Sequence, residues 1–313
     1  MQDNDNNIRK HHDVKRDSPK AWLLAARPKT LSGAAVPVIL GLAMAWYDLR
    51  KIEGWEFNFK AATLCMLFAF IMQIDANFIN DFFDFAKGTD DRETRLGPRR
   101  ACAEGWVSLH AMKHAIALTT CLACLCGLPL LFYGGLEMLL IGLLCVVFCF
   151  LYTTHLSYHG WGDVLVLVFF GIIPVCITYY IQMHTVTLTV FILSVACGLV
   201  IDALLLVNNF RDRTTDRQAG KMTLVVRLGE KKSMMAYLLC GLTGYLFGLV
   251  FVFQGCALAF VLSTFYLLLH LLTYAEMNKI WEGKELNRCL GHTARNIFIY
   301  GLTVAAGLIL SSI

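Results

Sequence analysis

Two short stretches of this sequence carry side chains that can hold a cation and grip an anion. The first reads Asn80-Asp81-Phe82-Phe83-Asp84, and the second reads Asn208-Asn209-Phe210-Arg211-Asp212 with Asp216 following. Asn80 and Asp84 are four residues apart, as are Asp212 and Asp216, and Asp81 stands three before Asp84. On a helix such positions share a face. Each stretch can therefore project two or three oxygen ligands from a helix end into one space. Carboxylates gathered so closely repel one another unless a cation fills the space. Oxygen-rich sites suit Mg2+, which takes carboxylates together with substrate phosphate oxygens and keeps some water. Basic residues are interleaved with these acids. Lys87, Arg92, Arg99 and Lys221 are candidates to grip phosphate oxygens, arginine being suited to bidentate contact. A cation there would neutralise charge developing on a departing diphosphate. Asn80, Asp84, Asp212 and Asp216 form the candidate metal-ligating and catalytic set, with Asp81 beside them.

The bland alternative is that both stretches are solvated loop surface. Their placement argues against it. Asp75, Asn77, Asn80, Asp81 and Asp84 begin inside the end of an apolar run, and Asn208 and Asn209 directly follow Leu204-Leu205-Leu206-Val207. Polar groups at such depth are costly and mark functional sites by default. The stretches also form a weak internal repeat. Each continues into more acid (Asp90 and Asp91; Asp216), and each then has a glycine beside a lysine (Lys87-Gly88; Gly220-Lys221). Two related half-sites facing each other across a helical bundle are a common membrane design. Phe78, Phe82, Phe83 and Phe85 surround the first stretch. They either pack against lipid and helices or present ring faces to a carbocation.

The elements that must position these residues are membrane-spanning. Of 313 residues, 57% are hydrophobic and only 16% charged, against about 25% charged in soluble domains. Apolar runs of roughly 20 residues, the length that crosses a bilayer core as a helix, recur near 31–48, 61–80, 109–132, 138–153, 162–182, 186–207, 233–254, 256–275 and 294–312. These predict an all-α membrane protein with nine transmembrane helices. No run looks like a cleaved signal peptide. With the N-terminus cytoplasmic, 24 of the 27 Lys and Arg fall on the inner face, and only Arg50, Lys51 and Lys60 fall outside. This asymmetry follows the positive-inside rule and puts both acidic stretches on the cytoplasmic face of a multi-pass inner-membrane protein. The net charge of +4 therefore implies no nucleic-acid partner; basic cytoplasmic loops favour anionic lipid or phosphorylated substrates. Residues 1–20 are polar and charged and read as a flexible tail, with 21–313 as one membrane domain. The 12 cysteines lack zinc or disulfide spacing and read as small hydrophobes, and the histidines form no ligand set.

Asn80-Asp81-x-x-Asp84 and Asp212-x-x-x-Asp216, each just past a transmembrane run, resemble the two aspartate-rich motifs of the UbiA prenyltransferase superfamily. Finer stretches are similar to its 1,4-dihydroxy-2-naphthoate polyprenyltransferase branch. They are Arg27-Pro28-Lys29-Thr30-Leu31, Lys87-Gly88 through Asp90, Arg95-Leu96-Gly97-Pro98-Arg99-Arg100, Gly162-Asp163, Phe169-Phe170-Gly171, Asn208 to Arg217, and Gly220-Lys221 to Gly229. The 4-hydroxybenzoate branch has a third aspartate where this chain has Gly88, which favours the naphthoate branch. The resemblance implies nine helices around a central cavity open to lipid. An isoprenyl diphosphate would lie with its head between the motifs and its tail in the apolar interior. Mg2+ would assist departure of diphosphate. The allylic cation would alkylate 1,4-dihydroxy-2-naphthoate with loss of CO2, giving demethylmenaquinol. Asn77, Tyr152 and Asn208 are candidates to orient the acceptor or metal-bound water, and Asp163 either caps a helix or acts in catalysis.

A cation-coupled transporter is the rival class, but its acids should lie near the bilayer midplane. Here they sit at helix ends on the basic face. The aspartate signature of phosphatidyltransferases is absent. Soluble isoprenyl diphosphate synthases share aspartate-rich chemistry but need no membrane spans.

Overall fold

A computed structural model describes residues 14–54, 56–88 and 95–313. Among these residues nine helices are long and apolar enough to cross a membrane. They are α1 (Pro19–Leu49), α2 (Phe59–Ala86), α3 (Leu109–Gly134), α4 (Glu137–Thr154), α5 (Gly162–Met183), α6 (Leu188–Gln218), α7 (Glu230–Phe253), α8 (Ala257–Ile280) and α9 (Leu286–Leu310). A short helix, Leu224–Leu228, joins α6 to α7. The described chain contains no strand. In a bilayer only a helix satisfies every backbone group within one open segment.

Helix α6 is the most buried span and packs on α5, α7, α9 and α1. Helices α3 and α4 are the least buried. Their exposed leucines, including Leu118, Leu125, Leu139 and Leu143, face outward as a lipid-facing surface requires. Close helix approach in lipid depends on small residues. Where α5 crosses α6, a Cβ placed on Gly171 would lie 2.6 Å from the Gly198 Cα, so neither position has room for a side chain.

Several helices run beyond their apolar stretches. Apolar composition records the hydrocarbon layer, whereas a helix ends where its hydrogen bonds and caps stop. Helix α2 continues to Ala86 and α6 to Gln218. Both acidic stretches are therefore helical, on the final turns of α2 and α6 rather than in loops. Helix α1 begins twelve residues before the apolar run at 31–48, at Pro19, where the Ser18 hydroxyl oxygen accepts from the Ala21 N–H. It breaks at Arg27, whose φ of 50° is left-handed, a conformation uncommon outside glycine. The Asn77 amide holds this break by donating to the Ala26 carbonyl at 3.0 Å and the Thr30 hydroxyl at 2.9 Å.

The expected tail at 1–20 divides in two. Residues 1–13 lie outside the described residues. Residues 14–20 are built into the fold, with the Asp17 N–H donating to the Trp106 carbonyl at 2.8 Å and Val14 packed against the apolar cluster that includes Phe78 and Met112.

Candidate active site

The last turns of α2 and α6 converge on the segment 95–107. Asp81 is fully buried. Its two carboxylate oxygens accept from the Ala101 and Cys102 N–H groups at 2.8 and 2.9 Å, and the Arg27 guanidinium lies 3.7 Å away. Asp81 thus ties 95–107 to α2 instead of lying open beside Asp84. On the other side, the Arg211 guanidinium is buried and donates in four directions. It holds Asp212 through two bonds (2.8 and 2.6 Å), Asn208 at 2.8 Å and Asn287 at 2.9 Å. The Asn287 amide in turn donates to the Leu96 carbonyl at 2.8 Å. Gly97 rests directly on Arg211, where a Cβ would lie 2.6 Å from a guanidinium nitrogen. One segment therefore bridges the ends of α2 and α6 and the start of α9.

The remaining members of the sequence-derived set occupy the same end of the bundle. Asp84 pairs with Arg100 at 3.3 Å. Asn80 accepts from the Thr153 hydroxyl. Asp216 pairs through one oxygen with Lys221 at 3.4 Å, and its other oxygen is buried without a hydrogen-bond partner among the described residues. Arg95 links the half-sites electrostatically, acting on both Asp84 and Asp212. Burial, with Arg100 beside it, pushes the Arg95 guanidinium down to about 9, which still leaves it a cation at neutral pH. Arg27, Arg95, Arg100 and Arg211 act on one another and on Asp81, Asp84 and Asp212. Among the described residues, these guanidinium groups and carboxylates are gathered in a largely buried space.

Tyr152 and Lys221 line one small cavity with Asp163 and Asn209, so the end of α4 meets the link after α6. Three candidates point elsewhere. Lys87 donates to the Thr154 carbonyl at 2.6 Å and lies 4.4 Å over the Tyr158 ring, engaging the carbonyl end of α4. Arg99 is half-exposed and 3.6 Å from Glu104. Asn77 holds the break in α1. Arg92, Asp90 and Asp91 lie outside the described residues.

Sequence reasoning passed over Arg27, Arg95, Arg100 and Arg211 as the convergent cations. A signal for Arg211 was present: it stands three residues after Asn208 and beside Asp212, in a helix continuous with an apolar run. Arg27, Arg95 and Arg100 lie in stretches that carry the family resemblance, but nothing local marked their convergence.

The donors suit a divalent cation held jointly with a ligand. Among the described residues no three His, Cys, Asp or Glu side chains lie close enough to cage a metal. Mg2+ rarely takes such a cage, using one or two carboxylates with water and phosphate oxygens, and the spare Asp216 oxygen is a buried acceptor of that kind.

Fold and site together define a multi-pass helical membrane protein with acidic and basic side chains gathered at one end of the bundle. The pattern of the UbiA prenyltransferase family matches residues 34–302. The chain is 39% identical over 220 residues to a 1,4-dihydroxy-2-naphthoate octaprenyltransferase of Escherichia coli (strain K12), covering 67% of this chain and 69% of that protein. It is 32% identical over 293 residues to the protein of the same description in Mycobacterium tuberculosis (strain ATCC 25618 / H37Rv), covering 92% and 96%. A UbiA homolog from Archaeoglobus fulgidus, solved bound to GPP and Mg2+, superposes with a TM-score of 0.64 at 13% identity, over 91% of this chain and 99% of that one. The chain belongs to the UbiA prenyltransferase family.

Proposed function

We propose that this protein transfers a polyprenyl group from an isoprenyl diphosphate to 1,4-dihydroxy-2-naphthoate in a Mg2+-dependent reaction, releasing CO2 and diphosphate and yielding demethylmenaquinol. The observation that carries the reading is the pair of acidic helix ends joined over buried arginines. It is supported by relatives described as 1,4-dihydroxy-2-naphthoate octaprenyltransferases and by a protein of the same fold solved with GPP and Mg2+.

In this reading Asn80, Asp84, Asp212 and Asp216 hold Mg2+ against the diphosphate, and the metal offsets charge on the departing group. Arg95 and Lys221 bind diphosphate oxygens. Arg211 orients Asp212 and Asn208 through its planar fork. Asp84 and Asp212, now ion-paired with Arg100 and Arg211, would exchange those contacts for the cation. Asp81, Asn77 and Lys87 shape the site by fixing segment 95–107, the α1 break and the end of α4. Tyr152 faces the acceptor side. The prenyl tail runs between the helices toward lipid. The excess of Lys and Arg in the loops supports a mouth on the cytoplasmic face of the inner membrane.

Asp84→Asn and Asp216→Asn remove a carboxylate ligand at nearly constant shape. Each should abolish prenyl transfer by purified protein in lipid while leaving its thermal denaturation close to the parent's. Retained turnover in both variants would refute this metal assignment.

A further inference from the structure

Deep to the diphosphate mouth is a second acidic group that the site so far described does not use. Asp163 lies in the first turn of α5 and Asp202 lies mid-span in α6, nine-tenths buried. One oxygen of each is buried with no hydrogen-bond partner among the described residues. Asp163 is the charge that acts most strongly on Asp202. The other Asp202 oxygen receives only the Cys240 thiol at 3.9 Å. An unsatisfied buried oxygen is expensive, and two acids side by side within a membrane protein are more so. Helix capping does not account for them. An acid in the first turn satisfies that role from an exposed position, and Asp202 stands mid-helix.

Asp163 also opens toward the mouth. It lines a cavity with Tyr152, Gly162, Leu205, Asn209 and Lys221, and that cavity has about 10 Å3 of free space. This is the room for about one water oxygen, the size of a single hydroxyl. Lys221 forms one wall of the cavity and pairs with Asp216, which places it against the diphosphate side.

Resting on the naphthoate reading above, we propose that Asp163, backed by Asp202, receives the acceptor hydroxyl next to the carbon being alkylated and takes its proton. As the ring carbon attacks the allylic carbon, the C–O bond to diphosphate breaks. The hydroxyl proton passes to the Asp163 carboxylate, leaving a ketone at that position. The ring–carboxylate bond then breaks to release CO2, its electrons restore the aromatic ring, and Asp163 returns the proton to the oxygen. Protons balance over the cycle. Asp202 stands behind Asp163 as the second member of the buried acid pair.

The test uses full-length protein in vesicles with Mg2+, an isoprenyl diphosphate and 1,4-dihydroxy-2-naphthoate. Asp163→Asn should lower kcat by about 100-fold or more, the usual worth of a general base, with KM for the diphosphate unchanged within about twofold. Asp163→Glu should recover part of the rate. A substrate-side arm does not depend on variant folding: methylating the hydroxyl adjacent to the carboxylate should abolish transfer by the parent protein, while methylating the distant one should not. Full kcat in Asp163→Asn, or turnover of the adjacent methyl ether, would overturn the assignment. If the parent protein itself fails to prenylate the naphthoate, the functional reading above falls instead.

Discussion

Asp81 offers a sharp division between holding the site together and carrying out its chemistry. It is one residue from Asn80 and three from Asp84, yet both its oxygens are consumed by the Ala101 and Cys102 N–H groups and its charge faces Arg27. In Asp81→Asn one side-chain oxygen can still accept, but the amide N–H2 must face the second backbone donor. One charge-assisted bond is lost, and a buried N–H is left without an acceptor. Arg27 also loses its nearest counter-charge. Charged hydrogen bonds contribute about 1.5–3 kcal/mol and an unmet buried donor costs about 1–3 kcal/mol, so the substitution should destabilise by about 3–5 kcal/mol. Asp84 is different. Its side chain is 22% exposed, so an amide in its place still reaches water, and the substitution should cost less than Asp81→Asn. The assay is thermal denaturation of the solubilised protein, with limited proteolysis of segment 95–107 alongside. Asp81→Asn should denature earlier and be cut faster in that segment, and Asp84→Asn should do neither. A parental denaturation midpoint for Asp81→Asn, combined with complete loss of turnover, would refute the reasoning and return Asp81 to the metal set.

Three further expectations follow from the same geometry. Lys221→Ala removes the ammonium beside Asp216 and should raise KM for the isoprenyl diphosphate by about 10-fold or more, the worth of one charged hydrogen bond; steady-state kinetics checks it. Lys87→Met leaves the Thr154 carbonyl without its donor and should reduce thermal stability more than it changes KM for the diphosphate, measured on the same preparation. Gly97→Ala drives a methyl group into the buried Arg211 guanidinium. It should destabilise by about 1–3 kcal/mol, as overpacking does, and slow turnover through displaced Asp212; denaturation and kinetics report the two effects.

The nine spans were legible because hydrocarbon demands long apolar runs and loops collect Lys and Arg. The paired stretches at Asn80–Asp84 and Asn208–Asp216 were legible for the complementary reason, since acids and amides beside a membrane span are conspicuous. Helix ends were not legible. Segment 208–218 is polar and segment 81–86 sets two acids among aromatics, and only hydrogen bonding shows that the helices continue through them. Spacing placed Asn80, Asp81 and Asp84 on one face but could not separate their partners, nor those of Asn77. Asn77 faces the α1 break, Asp81 faces two amides from a segment some twenty residues on, and Asp84 faces Arg100. Convergence of Arg27, Arg95 and Arg211 depends on tertiary packing that no local pattern encodes.

The most direct test of the account is prenyl transfer by purified protein in lipid, supplied with an isoprenyl diphosphate and Mg2+ and offered 1,4-dihydroxy-2-naphthoate or 4-hydroxybenzoate in parallel, with and without EDTA. The account predicts prenylated product and released CO2 with the naphthoate alone, both abolished by EDTA. Metal-independent transfer, or no transfer to either acceptor by folded protein with intact diphosphate, would contradict it.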